Sequence, residues 1–214
     1  MRPTIAVLCL SAVLTGGCST LARPHLAEPI ASEPVQTETG WRSIAQPDDQ
    51  QRIAAIDARF QAALADLPRR LRPRNAADKQ LLDPKVAQPM PALTPGGYQC
   101  RRIRLGGRAK LTRFKPDTCY VKLEDGDRLS YTTLSGALMP GGWLYPDGDN
   151  RLVLLATDRP ANTRAAPAYG TGAGQDLAGV VERLGPMRWR LTIPRADEFD
   201  IWELKPWPTQ KLED

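Results

Sequence analysis

Seven cations, Arg101, Arg102, Arg104, Arg108, Lys110, Arg113 and Lys115, fall within one short stretch that contains no acid. Gathered on one face, they would hold lipid A phosphates, phospholipid headgroups or another acidic partner. Spread over a solvated hairpin, their long stems would simply lie along a sheet. No aromatic residue alternates with them at stacking spacing, so single-stranded nucleic acid gains nothing there. Glu182 and Glu203 stand inside apolar segments. Facing a barrel interior together they would be an acid–base pair, and pairing with Arg183, Arg188 or Arg190 is the structural alternative. Asp125, Asp127, Asp147, Asp149 and Asn150 cluster in turn-forming stretches, without the spacing of a calcium loop. Ser130 and Ser135 have no base, because the one histidine, His25, lies near the N-terminus. A Ser-His-Asp triad, a Cys-His pair and a histidine zinc site therefore lack their central residue. Gly170-Thr-Gly-Ala-Gly174 is followed by neither Lys-Ser nor Lys-Thr, so it reads as a surface loop, not a phosphate cradle. Trp143, Trp189, Trp202 and Tyr145 could line a cavity for an apolar ligand or fill a core. No set here is a catalytic signature, and neither a metal nor a cofactor is expected.

The N-terminus carries the sharpest signal. Met1-Arg2, the apolar run from Ile5 to Leu14 and then Thr15-Gly16-Gly17-Cys18 describe a secretory signal over residues 1–17. Ten helical residues span about 15 Å, half of a hydrocarbon core of about 30 Å, so this is no permanent membrane helix. Leu14-Thr-Gly-Gly-Cys18 resembles the lipobox of bacterial lipoproteins, which implies acylation of Cys18 and a membrane partner. Thr15 stands where leucine is commoner. Ser19 after the cysteine goes with sorting to the outer membrane, facing the periplasm. Ordinary cleavage, giving a soluble periplasmic protein, is the alternative. Cys9 leaves with the signal, so Cys100 and Cys119 remain and read as a disulfide in an oxidising compartment. Closing that loop is worth about 3 kcal/mol in the chain-entropy picture.

The elements that must position these groups follow from punctuation and period. Residues 18–46, with Pro24, Pro29 and Pro34 among polar residues, form a disordered tether. Ile53, Ile56, Phe60, Ala63, Leu64 and Leu67 recur at helical steps after Pro47-Asp48-Asp49, predicting one amphipathic helix of about five turns. A short second helix over Asn75–Leu82, capped by Asn75, and a proline-rich connector complete residues 47–96. From 97 to 206 the chain turns to eight short strands with tight turns, Asp125-Gly126 being a hairpin signal. Met187, Trp189, Leu191 and Ile193 alternate with Arg188, Arg190 and Thr192, one face buried and one wet. The expected fold is mainly β: a small antiparallel barrel of eight strands, or a sandwich, with residues 207–214 as a tail.

Several segments occur in order: Trp41-Arg-Ser-Ile-Ala45, Tyr98-Gln-Cys-Arg-Arg-Ile-Arg-Leu-Gly106, Leu144-Tyr-Pro-Asp147, Asp176 to Gly185, Trp189-Arg-Leu-Thr-Ile-Pro194 and Trp202-Glu-Leu-Lys-Pro206. As a set, covering residues 41–206, they resemble the bacterial family called domain of unknown function 4893. The resemblance brings no activity, ligand or catalytic residue. The Gly-rich loop at 170–174 and the lipobox-like start depart from the family pattern.

The resulting expectation is a non-enzymatic binding or structural module of the cell envelope. Its partner would be an anionic envelope component or a periplasmic protein, not nucleic acid. One alternative is an inhibitor-type barrel acting on another protein; another is a hydrolase using carboxylates alone.

Overall fold

The computed structural model describes residues 40–208 except 125–126, 137–138 and 160–165. The expected signal peptide, the acylated Cys18, His25, most of the tether, the Asp125-Gly126 turn and the end of the tail lie outside the described residues.

Four short helices precede the strands: α1 (Trp41–Ile44), α2 (Pro47–Ala54), α3 (Ile56–Ala65) and α4 (Ala76–Leu81). Pro47 sits in the first turn of α2, followed by Asp48 and Asp49, which suit the positive end of a helix. The single helix expected from Pro47 to Leu67 is interrupted at Ala55, whose N–H meets the carbonyls of Gln51 and Ile53. Neither glycine nor proline marks this break, and on either side of it Ile53, Ile56 and Phe60 are all buried. Asn75 caps α4 as expected, accepting the Asp78 N–H at 2.7 Å.

The strands are β1 (Gly96–Gly106), β2 (Lys110–Arg113), β3 (Asp117–Leu123), β4 (Leu129–Thr133), β5 (Met139–Pro146), β6 (Arg151–Arg159), β7 (Asp176–Gly185), β8 (Arg188–Pro194) and β9 (Glu198–Pro206). Each pairs antiparallel with its neighbour, and β9 closes on β1 from Tyr98↔Pro206 to Gly106↔Glu198. The result is a closed eight-stranded barrel, as expected, plus β2. The first half of β1 pairs with β3 and the second half with β2, so β2 continues the sheet where β3 has ended.

Two apolar layers use the two faces of this sheet. Inside the barrel lie Tyr98, the Cys100–Cys119 disulfide, Val121, Tyr131, Leu154, Trp189, Leu191 and Trp202. On the outer face Ile103, Leu105, Val153, Leu155, Val180, Phe199 and Ile201 pack against Ile53, Ile56, Phe60 and Leu81 of the helices. Burial on both faces explains why Leu152-Val-Leu-Leu-Ala156 reads as an unbroken apolar run. It also corrects the wet face expected for β8: Arg190 and Thr192 are buried beneath the helices, and Met187 is exposed in the turn before β8. A second correction concerns Trp41 to Gln46, which were expected to lie in the tether. The Trp41 indole is 3% exposed and packs in the outer layer, so Trp41 to Gln46 belong to the folded domain. At one end of the barrel the proline-rich connector acts as a plug. Leu93 is buried in the inner layer, and Tyr98 donates its hydroxyl to the Thr94 carbonyl at 2.6 Å.

Candidate functional site

Three of the seven cations, Arg101, Arg102 and Arg104, lie on β1, and Arg108, Lys110, Arg113 and Lys115 follow in the turn, on β2 and beyond it. Odd and even positions of a strand face opposite ways, so Arg101 cannot share a face with Arg102 and Arg104, and the seven do not gather into one patch. Arg101 points outward, 2.7 Å from Asp78 and 2.8 Å from Glu203. Arg113 meets the same Asp78 at 3.0 Å, and Lys110 pairs with Asp66 below α3. Arg102 and Arg104 point to the other side, toward Asp200, whereas Arg108 and Lys115 are exposed.

The inward group forms a charged end to the barrel. Asp200 is fully buried and accepts from Arg104 Nε at 2.9 Å, Arg195 Nε at 3.0 Å and Arg102 Nη1 at 3.4 Å. Arg195 also holds Asp158 at 2.9 Å. The Arg102 guanidinium lies 3.8 Å from the Phe114 ring centre and 5.3 Å from that of Trp202. Burial pushes its pKa down, opposed by Asp200, whereas hydrogen bonding to Asp200 pushes Arg104 up. Burial likewise raises the nearby Asp117 carboxyl.

On the outer face the charges form a cross-strand row. Arg151 (β6), Glu182 (β7), Arg190 (β8), Glu203 (β9) and Arg101 (β1) stand opposite one another in register, alternating in sign. Arg190 donates to Glu182 at 2.7 Å and to the carbonyls of Leu81 and Asp83. Arg188 holds Glu203 at 2.6 Å and reaches the Ala77 carbonyl and the Gln80 side chain. Burial alone would raise the carboxyl pKa values of Asp78 and Glu203, but their arginine partners hold both below the usual range. Glu182 and Glu203 thus face away from the lumen and latch α4 to the barrel through arginines. They do not form the interior acid–base pair entertained for a hydrolase.

The remaining candidates separate similarly. Trp189 and Trp202 fill the lumen, with Tyr98 edge-on to Trp189 at 6.0 Å. Trp143 is on the outer surface beneath Arg128, and Tyr145 packs against the helix layer. Ser130 donates to Glu124, and Ser135 accepts the Thr118 N–H. Asp147 collects Trp41, Arg42 and Arg151, while Asp127, Asp149 and Asn150 are exposed. Gly170 and Gly172 take positive φ in a loop that leads into β7 and opens no helix. Among the described residues no three His, Cys, Asp or Glu side chains are grouped to hold a metal ion.

Two hollows lie outside the barrel. One is a void of about 10 Å³ beneath Phe60 and Arg190. The other is a cleft of about 410 Å³ between α2 and the adjoining ends of β7 and β8, walled by Asp49, Arg52, Asp176 and Arg195. Its residues come from separate stretches of chain that the packing of α2 against β7 brings together. None is singled out as a candidate site in the sequence, where Asp48 and Asp49 read only as the start of a helix.

A family model described as Domain of unknown function (DUF4893) matches residues 41–204. No curated protein and no solved structure matches the chain.

Proposed function

The chain belongs to the family described as Domain of unknown function (DUF4893), and from that footing we propose that it is a non-enzymatic binding or structural module of the bacterial cell envelope. In this reading Cys18 is acylated and anchors the barrel to the outer membrane, facing the periplasm. The observation that carries the non-enzymatic part is the filled lumen. Tyr98, Tyr131, Trp189, Trp202 and the Cys100–Cys119 bridge occupy the space that a ligand calyx or an interior active site would need. Its carboxylates give the same support, since Asp78, Asp200, Glu182 and Glu203 are all spent on arginines. An oxidised cysteine pair in the core supports export, because such bridges form and persist outside a reducing cytosol.

The test is expression of the full chain in a Gram-negative host, with membrane fractionation and mass spectrometry of the N-terminal peptide. A diacylglyceryl thioether on Cys18, and release of Cys18→Ala from the membrane fraction, are expected. A cytosolic product keeping Met1 to Gly17, with Cys100 reduced, overturns export. Turnover that disappears in Glu182→Gln or Glu203→Gln overturns the non-enzymatic reading.

A further inference from the structure

We propose that the cleft between α2 and the ends of β7 and β8 binds a neutral, hydroxyl-rich solute, a mono- or disaccharide. The inference deepens the binding-module reading by giving it a site and a ligand class, and its geometry requires neither export nor acylation.

Size places the cleft among ligand sites. At about 410 Å³ it lies in the lower part of the range of about 300–1,000 Å³ typical of small-molecule pockets. Composition then selects the ligand. The wall carries three carboxylates, Asp48, Asp49 and Asp176, against two guanidiniums, Arg52 and Arg195. Most of these charges are already answered within the protein. Arg52 holds Asp49 in an ion pair, and Arg195 holds Asp158 and Asp200. Asp176 accepts the Gly170 N–H at 3.0 Å and the Gln46 amide at 3.4 Å. A net anion would meet three carboxylates and find both guanidiniums already paired, and a net cation, although Asp48 and Asp176 are held in no ion pair among the described residues, would have to settle between Arg52 and Arg195. An apolar ligand would strip water from this polar wall and return no hydrogen bonds.

A polyol answers both requirements. Each hydroxyl donates once and accepts twice, so it can bridge neighbouring acceptors and donors. Asp48 and Gln175 are exposed and supply acceptors and an amide donor, and Arg52, whose side chain is 42% exposed, turns further N–H groups outward. The wall is held in place beforehand. Asp49 is 2% exposed, and Tyr169 donates its hydroxyl to it at 2.6 Å while accepting the Gln46 N–H at 2.9 Å. Burial and the Asp49 carboxylate both push the Tyr169 hydroxyl up, so it remains a donor. A wall whose groups are already held by hydrogen bonds loses less freedom when a ligand binds.

Saturation-transfer NMR on the full chain in detergent micelles tests the proposal, with glucose, N-acetylglucosamine, maltose and trehalose as probes and choline and acetate as the cationic and anionic controls. Transfer to at least one saccharide is expected. Loss of the Asp48 and Gln175 contacts in D48A/Q175A should weaken it about tenfold, with only a small drop in melting temperature because both side chains are exposed and Asp48 serves the first turn of α2. Ala196→Trp, at an exposed position lining the cleft, should block it sterically while leaving the polar wall intact. Transfer to no saccharide overturns the proposal, as does transfer unaffected by both variants or transfer to choline or acetate in place of the saccharides. Acylation of Cys18 is read by a separate measurement, so failure of one reading is distinguishable from failure of the other.

Discussion

Trp41 Nε1 donates to Asp147 Oδ1 at 2.8 Å, joining residues 106 positions apart in the chain. Asp147 lies just beyond β5 and also accepts from Arg151 Nε at 2.6 Å and from Arg42 at 3.1 Å. One carboxylate therefore ties α1 to the turn between β5 and β6. Burial would raise its pKa, but the indole N–H and the two arginines hold it below the usual carboxylate range. Trp41→Phe keeps most of the buried apolar area and removes this donor alone. It should lower unfolding free energy by about 1–2 kcal/mol in urea. Equal stability of the variant and wild type would show the bond to be incidental.

The Cys100–Cys119 bridge joins β1 to β3 within the lumen, and Cys119 Sγ lies 3.1 Å from the Tyr131 hydroxyl. Its sequence separation of 19 sets the loop whose closure the unfolded chain no longer loses. Cys100→Ser/Cys119→Ser should be about 3 kcal/mol less stable than the oxidised protein. Wild type unfolded in the presence of dithiothreitol should approach the variant, and a difference between them would measure the cost of the buried hydroxyls.

The barrel was readable because hairpin turns and strand-length apolar segments are local signals. The Asn75 cap was readable for the same reason. What escaped depends on which face a strand segment finally covers. Arg190 and Thr192 have the types of a wet face, yet the helices lie over them, and Arg190 is satisfied by carbonyls some 110 residues earlier in the chain. Strand β2 is short, and Gly106, Gly107 and Arg108 before it suggest a loop, but β1 outruns β3 and leaves a partner edge for Lys110–Arg113. Trp41 sits beside a proline-rich stretch, and only the distant Asp147 reveals that it is docked. The seven-cation cluster is visible as composition, and the split of Arg101 from Arg102 and Arg104 follows from the extension of β1 across them.

At Gly142, β5 lies close against the backbone of β6. A Cβ there would lie 2.0 Å from the Leu155 carbonyl oxygen and 2.5 Å from the Ala156 Cα, both backbone atoms. The strands cannot separate without breaking the pairing of Gly142 with Ala156 on one side and Tyr131 on the other. Gly142→Ala should therefore cost at least about 1–3 kcal/mol, the usual range for overpacking. Gly40→Ala is the control: its Cβ would meet nothing within 4 Å, so the effect should stay within about 0.5 kcal/mol. Thermal melts of the two variants side by side give the comparison.

Acid should unfold this protein through carboxylates that serve as latches. Asp78, Asp147 and Glu203 all have folded pKa values below their ordinary ones: burial pushes each up, and hydrogen bonds and guanidinium partners outweigh it. A depressed folded pKa contributes stability that is complete above the unfolded pKa, about 4, and is lost as pH falls through the folded value. Asp117 acts in the opposite sense, because burial raises its carboxyl, and it offsets part of the loss. Urea midpoints measured from pH 7 to pH 3 should stay level and then drop below about pH 5. Asp78→Asn/Glu203→Gln removes two of the three titrating latches, so it should start less stable at pH 7 and show a shallower drop. Parallel pH profiles for variant and wild type would mean that these two carboxylates bind protons equally in folded and unfolded chains, and that the α4 latch does not govern acid stability.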